Sequence, residues 1–331
     1  MFNTPLIPGR RRLVQAAAAS LCALAFAGAA QAQAWPSKPI KIVVGFAPGG
    51  TTDVMARVMA QSLSEALGQP VVVDNKPGAG SSIAADIVAK APADGYTLLM
   101  GSGGMVSVNP HIYATMPFDP VKDLTPVASA ARVLVYLMAR PTLEVKDASD
   151  FLAHVKARPG KLSYGSAGNG SSPHLAGEMM KSQAGLFAVH VPYRGAAPAL
   201  NDLMAGQIDF YFDPGIGLQA AKAGRTKLLA VGSLKRSPLF PDVPTLDEVG
   251  LKGFDADSVF GFYAPAQTPP AVVARLNTEI NRILGTQAVR DRITNLGGEA
   301  LPLTPAAFGA KSLDDSRRFG AIIKERAIKG D

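Results

Sequence analysis

The chain reads Gly45-Phe46-Ala47-Pro48-Gly49-Gly50-Thr51-Thr52-Asp53 between an apolar, β-branched run and a segment with helical periodicity. A second loop of the same character, Gly165-Ser166-Ala167-Gly168-Asn169-Gly170-Ser171-Ser172-Pro173-His174, has the same setting in the other half of the chain. A helix that begins after such a loop presents backbone N–H groups without intrahelical partners, and such groups bind anions. The two loops therefore predict one site that holds a small carboxylate from two sides.

Strand-like and helix-like segments alternate along the sequence. Lys41-Ile42-Val43-Val44 predicts a strand, and the apolar residues that follow recur at helical spacing until Gly68, which is typical of a helix end. The alternation restarts at Leu134-Val135-Tyr136-Leu137-Met138, which predicts another strand. Strands that alternate with helices favour parallel, doubly wound sheets, so we predict an α/β fold.

The restart of the pattern predicts two lobes joined by a hinge. We expect residues 35–135 and 256–331 to form the first lobe and residues 136–255 the second, with crossings near residues 132–141 and 254–263. The C-terminal helices, expected at 270–284, 287–295 and 305–328, are predicted to pack on the first lobe. Ligands of open parallel sheets bind beyond the carboxyl ends of the strands, where both glycine loops fall.

The N-terminal 32 residues have the pattern of a secretory signal peptide. Arg10, Arg11 and Arg12 precede the apolar run from Leu13 to Ala30, and Ala30-Gln31-Ala32 is a small-x-small cleavage site. A membrane anchor is the alternative, but the run is short for a span of about 20 strongly apolar residues. We therefore expect export to the periplasm, after which the chain lacks cysteine, because Cys22 lies in this segment.

Several other classes of function find little support in the sequence. The basic residues behind the net charge of +7 are interleaved with acids, so no nucleic-acid surface is expected. No Gly-x-Ser-x-Gly elbow occurs, and the four histidines lack metal-ligand spacing, so neither a hydrolase nor a metal site is expected. Gly215-x-Gly217-x-x-Ala220 lacks the acidic residue about 20 positions on that a dinucleotide fold needs, so we expect no cofactor.

An alternative interpretation of the loops remains open. Gly, Ser and Thr also occur in plain strand-to-helix connections, for turn and capping reasons alone. The third segment of this kind, Gly101-Ser102-Gly103-Gly104, is equally consistent with an anion-binding turn that adds Ser102 and with an ordinary loop. His174 could donate to a ligand or support the loop locally, and Ser172 is the expected N-cap of the helix at Pro173.

The sequence resembles the Bug family, the extracytoplasmic solute receptors of the tripartite tricarboxylate transporter group. The resemblance covers nearly all of the chain after the signal segment. It rests on a series of short motifs in order, namely Trp35-Pro36-Ser37-Lys38-Pro39-Ile40, the loop at residues 46–53, Asn75-Lys76-Pro77-Gly78-Ala79-Gly80, Ala93-Asp94-Gly95-Tyr96-Thr97-Leu98-Leu99, Asn109-Pro110-His111-Ile112-Tyr113, the loop at residues 165–174, Val191-Pro192-Tyr193-Arg194-Gly195 and Gly206-Gln207-Ile208-Asp209.

The resemblance implies a two-lobed, periplasmic-binding-protein-like (type II) fold that closes on a small carboxylate. It implies ligand contacts at Phe46, Gly50, Thr51, Thr52, Asp53, Ser166, Ala167, Gly168, Gly170, Ser171 and His174, with Tyr193, Arg194 and Asp213 in further matching segments. Ser102 lies where the sequence departs from the family pattern. The implied partners are membrane permease subunits or a sensor, and we expect a monomer.

A second hypothesis from another class is an exported enzyme that acts on a carboxylate substrate. Its acid-base groups would be Asp53, Asp213 and His174, which would need perturbed pKa values in a closed cleft. We prefer the receptor, because the sequence offers no activated nucleophile, metal set or cofactor motif. The identity of the acid is not predicted.

Overall fold

The first sheet has six strands and is built around the β-branched run that precedes the first glycine loop. A computed structural model describes residues 35–329, and the predicted signal peptide lies outside this range. From Lys38 onward the described chain is one compact unit. The strand order is β11-β4-β10-β3-β1-β2. The bounds are β1 Ile40–Val44, β2 Val71–Asn75, β3 Thr97–Gly101, β4 Leu124–Val133, β10 Ser258–Pro265 and β11 Gly298–Ala300.

The second sheet has five strands and contains the strand that precedes the second glycine loop. Its order is β7-β6-β8-β5-β9. The bounds are β5 Tyr136–Ala139, β6 Ser163–Ser166, β7 Val189–Pro192, β8 Phe210–Asp213 and β9 Lys227–Val231. β6 is parallel to both of its neighbours, so the second glycine loop leaves the carboxyl end of a strand inside the sheet.

The predicted parallel pairing is present in β2-β1-β3 and in β7-β6-β8, but each sheet also contains antiparallel strands. β10 runs antiparallel to β3 and β4, and β5 runs antiparallel to β8 and β9. The reason is the double crossing between sheets, since β4 leads into β5 of the other sheet and β9 leads back into β10. A strand that leaves a sheet and one that returns to it lie side by side in opposite directions.

The helices follow the predicted periodicity closely. The segments predicted at 270–284 and 287–295 have those bounds, and the first helix ends at Leu67 with Gly68 in the left-handed conformation of a C-cap. The bounds are α1 Thr51–Leu67, α2 Ser82–Ala89, α3 Gly103–Ser107, α4 Asn109–Ile112, α5 Ala148–Lys156, α6 Ser172–Ala184, α7 Ala196–Met204, α8 Leu218–Lys222, α9 Pro270–Leu284, α10 Gln287–Asn295 and α11 Pro305–Glu325.

Two segments connect the sheets where a hinge was expected. β4 ends at Val133 and β5 begins at Tyr136, so of the strand predicted over residues 134–138 the first two residues form the connection and the last three lie in β5. The return runs from Val231 to Ser258. Both connections are held together by Asp257, which accepts hydrogen bonds from Arg132 and from Ser233.

The C-terminal helix α11 packs on both lobes, which differs from the expectation that it packs on the first alone. Phe308 in its first turn belongs to the core of the first sheet, with Val43 and Leu99. Phe319 and Ile323 near its other end belong to the core of the second sheet. A helix of 21 residues is about 30 Å long, which is enough to reach from one core to the other.

Candidate functional site

A small cavity lies between the lobes at the carboxyl ends of the strands. Its free volume is about 20 Å³, which is room for one or two water molecules. None of the described residues around it carries a charged side chain. The first lobe contributes Phe46, Gly50, Thr51, Thr52, Ser102 and Phe260, and the second contributes Ala167, Ser171, Ser172, Pro173, Ala196 and Pro214.

Four helices begin at this cavity. Gly50, Ser102 and Ser171 are the N-caps of α1, α3 and α6, and Ala196 is the first residue of α7. The first N–H groups of a helix have no intrahelical acceptor and carry the positive end of the helix dipole. The cavity is therefore positive in potential without a cationic side chain.

The starts of α1 and α7 approach each other across the cleft. A Cβ atom on Gly50 would lie 3.5 Å from the backbone nitrogen of Ala196. The neighbouring chain is also joined across the cleft, because the N–H of Ala47 donates to the carbonyl of Arg194 at 2.9 Å. Any larger residue at position 50 would narrow the space between the two sets of amides.

The first loop is held in place by Asp53. Its carboxylate accepts hydrogen bonds from the N–H of Gly49 at 2.9 Å, from Asn75 at 2.8 Å and from Arg57. Gly49 has φ of +81°, a conformation that glycine adopts without steric cost. Burial alone would raise the pKa of Asp53, but these hydrogen bonds and the charge of Arg57 outweigh burial and hold that pKa below its ordinary value.

The second loop is held by its own hydrogen bonds. Ser171 Oγ donates to the carbonyl of Gly168 at 2.6 Å, and the N–H of Gly170 donates to Nδ1 of His174 at 3.2 Å. Ser166 Oγ accepts from the N–H of Gly168 and lies 2.7 Å from Nε2 of His190. The helix cap is Ser171 rather than Ser172, one residue earlier than predicted.

Polar side chains in the cavity leave at least one group available to a ligand. Ser102 is 3% exposed, and its Oγ is buried without a hydrogen-bond partner among the described residues. The hydroxyl of Thr51 instead donates to the carbonyl of Pro214 in the second lobe at 2.9 Å. Together with the bond from Tyr113 Oη to the carbonyl of Asn169, at 3.2 Å, this bond joins the two lobes in a closed arrangement.

Asp213 supports the turn that presents Pro214. Its Oδ1 accepts from the N–H groups of Gly215 at 2.6 Å and Gly217 at 2.9 Å, while Oδ2 is buried without a partner among the described residues. Burial raises the pKa of Asp213 to about 7, against the lowering effect of the two amides. Oδ1 is thus fully used in shaping the turn.

Comparison with known proteins agrees with this geometry. The family model described as the tripartite tricarboxylate transporter family receptor matches residues 55–328. The chain belongs to this family. It is 35% identical to the periplasmic binding protein BugD, with a TM-score of 0.86 over 89% of this chain and 99% of the other. The predicted Bug-type, two-lobed fold is confirmed.

Two further structures of relatives contain ligands. A Rhodopseudomonas palustris protein solved with adipate is 36% identical, with a TM-score of 0.87 over 89% of this chain and 99% of the other. MatC from Rhodopseudomonas palustris, solved with bound malate, is 33% identical, with a TM-score of 0.84 over 87% of this chain and 100% of the other.

The site residues predicted for this receptor fall into three groups. Seven line the cavity, namely Phe46, Gly50, Thr51, Thr52, Ser102, Ala167 and Ser171. Three line an adjoining groove, namely Gly168, Tyr193 and Arg194. The other five, Asp53, Ser166, Gly170, His174 and Asp213, line neither space and hold the loops around them.

Five lining residues were not predicted as contacts: Ser172, Pro173, Ala196, Pro214 and Phe260. The first two directly follow Ser171, and Ala196 follows the Tyr193-Arg194-Gly195 motif, so the loop motifs held a signal for them. No sequence motif pointed to Phe260, because its position beside the cavity depends on the pairing of β10 with β4.

Between residues 35 and 329 we find no group of His, Cys, Asp and Glu side chains arranged to hold a metal ion. None of the helices in the same range has the length and hydropathy that crossing a bilayer requires.

Proposed function

We propose that this protein is a non-catalytic periplasmic receptor that captures a small carboxylate between its lobes. The observation that carries the proposal is the convergence of helix starts from both lobes on one cavity without acidic side chains. Its implied partners are membrane permease subunits that accept the ligand, or a sensor that responds to the closed form. We expect a monomer that is exported by the segment at residues 1–32.

The binding energy of such a site comes from backbone amides and hydroxyls. A carboxylate can take several charge-assisted hydrogen bonds from α1, α6 and α7, each contributing about 1.5–3 kcal/mol. A net binding free energy of about −8 kcal/mol, which corresponds to micromolar affinity, needs only part of that sum. The relatives solved with adipate and with malate support a carboxylate as the ligand.

Closure follows from contacts that the ligand makes with both lobes at once. We propose that residues 35–135 and 256–331 move against residues 136–255, with the sheet connections as the hinge. A ligand shifts this equilibrium only by binding the closed form more tightly than the open one. Because the closed cavity has about 20 Å³ of free volume, the lobes must part before a ligand reaches it.

The enzyme hypothesis finds less support in the geometry. Asp53, Asp213 and His174 are buried, with exposed fractions of 2% or less, and none of them lines the cavity. The carboxylate of Asp53 is occupied by Gly49, Arg57 and Asn75, and Nδ1 of His174 accepts from Gly170. These side chains shape loops instead of facing a substrate, so we assign them to positioning.

Isothermal titration calorimetry tests the proposal on the purified protein, after ligand removal by unfolding and refolding. Malate, adipate and aromatic acids form the panel, and the neutral amides of the same acids are the control. We expect micromolar binding of at least one acid and no binding of its amide. Mass spectrometry should recover the bound acid unchanged.

Three results would count against the proposal. They are a folded, ligand-free protein that binds no acid, an amide that binds as tightly as its acid, and turnover of the acid. Cell fractionation and light scattering check the periplasmic location and the monomer.

A further inference from the structure

His190 connects the second glycine loop to the surface of the second lobe. It lies in the edge strand β7, and its Nε2 is 2.7 Å from Oγ of Ser166, the last residue of β6. The same hydroxyl oxygen accepts the N–H of Gly168, so His190 reaches the loop through one side chain. His190 also borders a surface pocket of about 380 Å³ and is only half-buried.

The contacts of a second histidine decide which ring can carry a positive charge. The rings of His190 and His174 are stacked with their centroids 4.5 Å apart, so two imidazolium rings would repel each other. A cationic His174 would need a proton on Nδ1, which instead accepts the N–H of Gly170 at 3.2 Å. His174 is also 1% exposed, whereas solvent reaches His190 through the pocket. The charge therefore belongs on His190.

The other titratable groups around His190 bring little net charge to it. In the described chain these groups are Tyr164 of β6, Glu178 and Lys181 of α6, and Lys329 after α11. Nζ of Lys181 lies 2.6 Å from the carboxylate of Glu178, so their charges offset each other. Lys329 is exposed, and solvent screens its charge. Tyr164 stacks on His190 at 4.8 Å, and an aromatic face attracts a cation.

A charge on His190 lies directly behind the wall of the cavity. Ala167 lines the cavity and follows Ser166 in the chain. Because consecutive Cα atoms are about 3.8 Å apart, Nε2 of His190 lies within about 9 Å of the Cα atom of Ala167. At that range, in a partly buried setting, attraction between opposite charges changes an affinity about two- to tenfold.

Resting on the proposed function, we propose that His190 takes up a proton when a carboxylate binds, and that its charge strengthens the hold of the cavity on the anion. Linkage is reciprocal, so an anion that binds more tightly beside a charged His190 also favours that charge. Histidine ordinarily changes charge between pH 5 and pH 8. The affinity for a carboxylate should therefore rise as pH falls from about 8 to about 6.

Calorimetry with malate and adipate at pH 6 and pH 8 tests the effect on affinity. The variant H190Q keeps a donor that can reach Ser166 but cannot become charged. The control is H154Q, since His154 lies in α5 and borders neither the cavity nor the surface pocket. At pH 6 we expect H190Q to bind about two- to tenfold more weakly than wild type, and at pH 8 equally well. H154Q should match wild type at both pH values.

Comparison at equal pH removes the other sources of pH dependence. Asp213 and Asp257, whose pKa values are raised to about 7 by burial, are present in all three proteins. Titration of the acid itself is also common to all three. Repeating the calorimetry at pH 6 to 8 in buffers of different ionisation enthalpy counts the protons taken up, and H190Q should take up fewer than wild type.

Nitrogen-15 NMR of the histidine rings identifies the ring that takes up the proton. Saturation with the acid should raise the titration midpoint of His190 by about 0.3–1 pH unit, the logarithm of the same fold-change, and leave that of His154 in place. The proposal is overturned if this midpoint does not move, if H190Q binds as tightly as wild type at pH 6, or if it is equally weakened at pH 8. Failure of malate, adipate and the aromatic acids to bind the folded wild type at either pH would instead reject the proposed function itself.

Discussion

The hydroxyl of Thr51 donates a hydrogen bond of 2.9 Å to the carbonyl oxygen of Pro214, and this bond joins the two lobes at the edge of the cavity. Thr51 is the first residue of α1, so the same residue also presents a helix amide to the cavity. Pro214 is placed by Asp213, which fixes the following turn. Closure of the lobes and construction of the binding site therefore use the same residue, the first through its hydroxyl and the second through its backbone amide.

Replacing Thr51 with valine should weaken ligand binding by destabilising the closed form. Valine keeps the shape but removes the donor, which leaves the buried carbonyl of Pro214 unpaired at a cost of about 1–3 kcal/mol. We expect affinity to fall about 5- to 150-fold in calorimetry. The control is T125V, which removes a similar bond to the carbonyl of Ala266 within the first lobe. Equal losses in both variants would contradict a role in closure.

Replacing Asp53 with asparagine should lower the free energy of unfolding by about 1–3 kcal/mol at pH 7, because a charge-assisted network is lost. The pKa of Asp53 is below its ordinary value, so its contribution is present above the unfolded pKa of about 4 and is lost as pH falls through the folded pKa. Urea unfolding should show that the gap between wild type and D53N closes below about pH 4. A gap independent of pH would contradict this account.

Local elements of the fold were predictable because their signals are local. Gly68 ends α1 through its own backbone conformation, and the apolar spacing of α9 marks both of its ends. The ten-residue strand β4 and the antiparallel direction of β10 were missed, since both depend on pairing between segments more than 100 residues apart. The contact of α11 with the second core was missed for a similar reason. The spacing of apolar residues identifies the apolar face of a helix, but it does not show which core that face packs against.

The candidate site shows the same division between local and tertiary information. Glycine and hydroxyl residues of the two loops could be chosen because each loop stands between a strand and a helix. The sequence could not separate residues that border the cavity from those that brace the loops. Thr51 and Asp53 are two positions apart, yet one lines the cavity while the other holds Gly49, Arg57 and Asn75. Helical rotation of successive residues decides that difference.

Asp213 should make the protein less stable as pH rises from about 4 to about 7. Burial raises its folded pKa to about 7, so its contribution is fully present below the unfolded pKa of about 4 and is lost as pH rises through the folded pKa. D213N lacks this dependence. Urea unfolding at pH 5 and pH 7.5 should show wild type losing stability relative to D213N, by about 1.4 kcal/mol for each pH unit between pH 5 and the folded pKa.

Asp257 has the same kind of pH dependence, because burial raises its pKa to about 7 despite the opposing charge of Arg132. Asp257 is present in both wild type and D213N, so the difference between their free energies of unfolding reports on Asp213 alone. A wild type that instead gains stability over D213N as pH rises would mean that the folded protein favours the charged form of Asp213.

Replacing Gly104 with alanine should hinder closure without harming either lobe. Gly104 lies in α3 of the first lobe, and a Cβ there would come 2.3 Å from the carbonyl oxygen of Gly170 in the second lobe. In the open form that clash is absent, and alanine favours a helix over glycine. Because overpacking of about 1–3 kcal/mol affects only the closed form, ligand affinity should fall about 5- to 150-fold. The melting temperature of the ligand-free protein should be unchanged or higher.

The control is G309A in α11, where an added Cβ comes no nearer than 3.3 Å to Pro126 of the same lobe. If G104A lowers the melting temperature while ligand affinity stays at the wild-type value, the contact between these glycines belongs to the stability of the fold and not to closure.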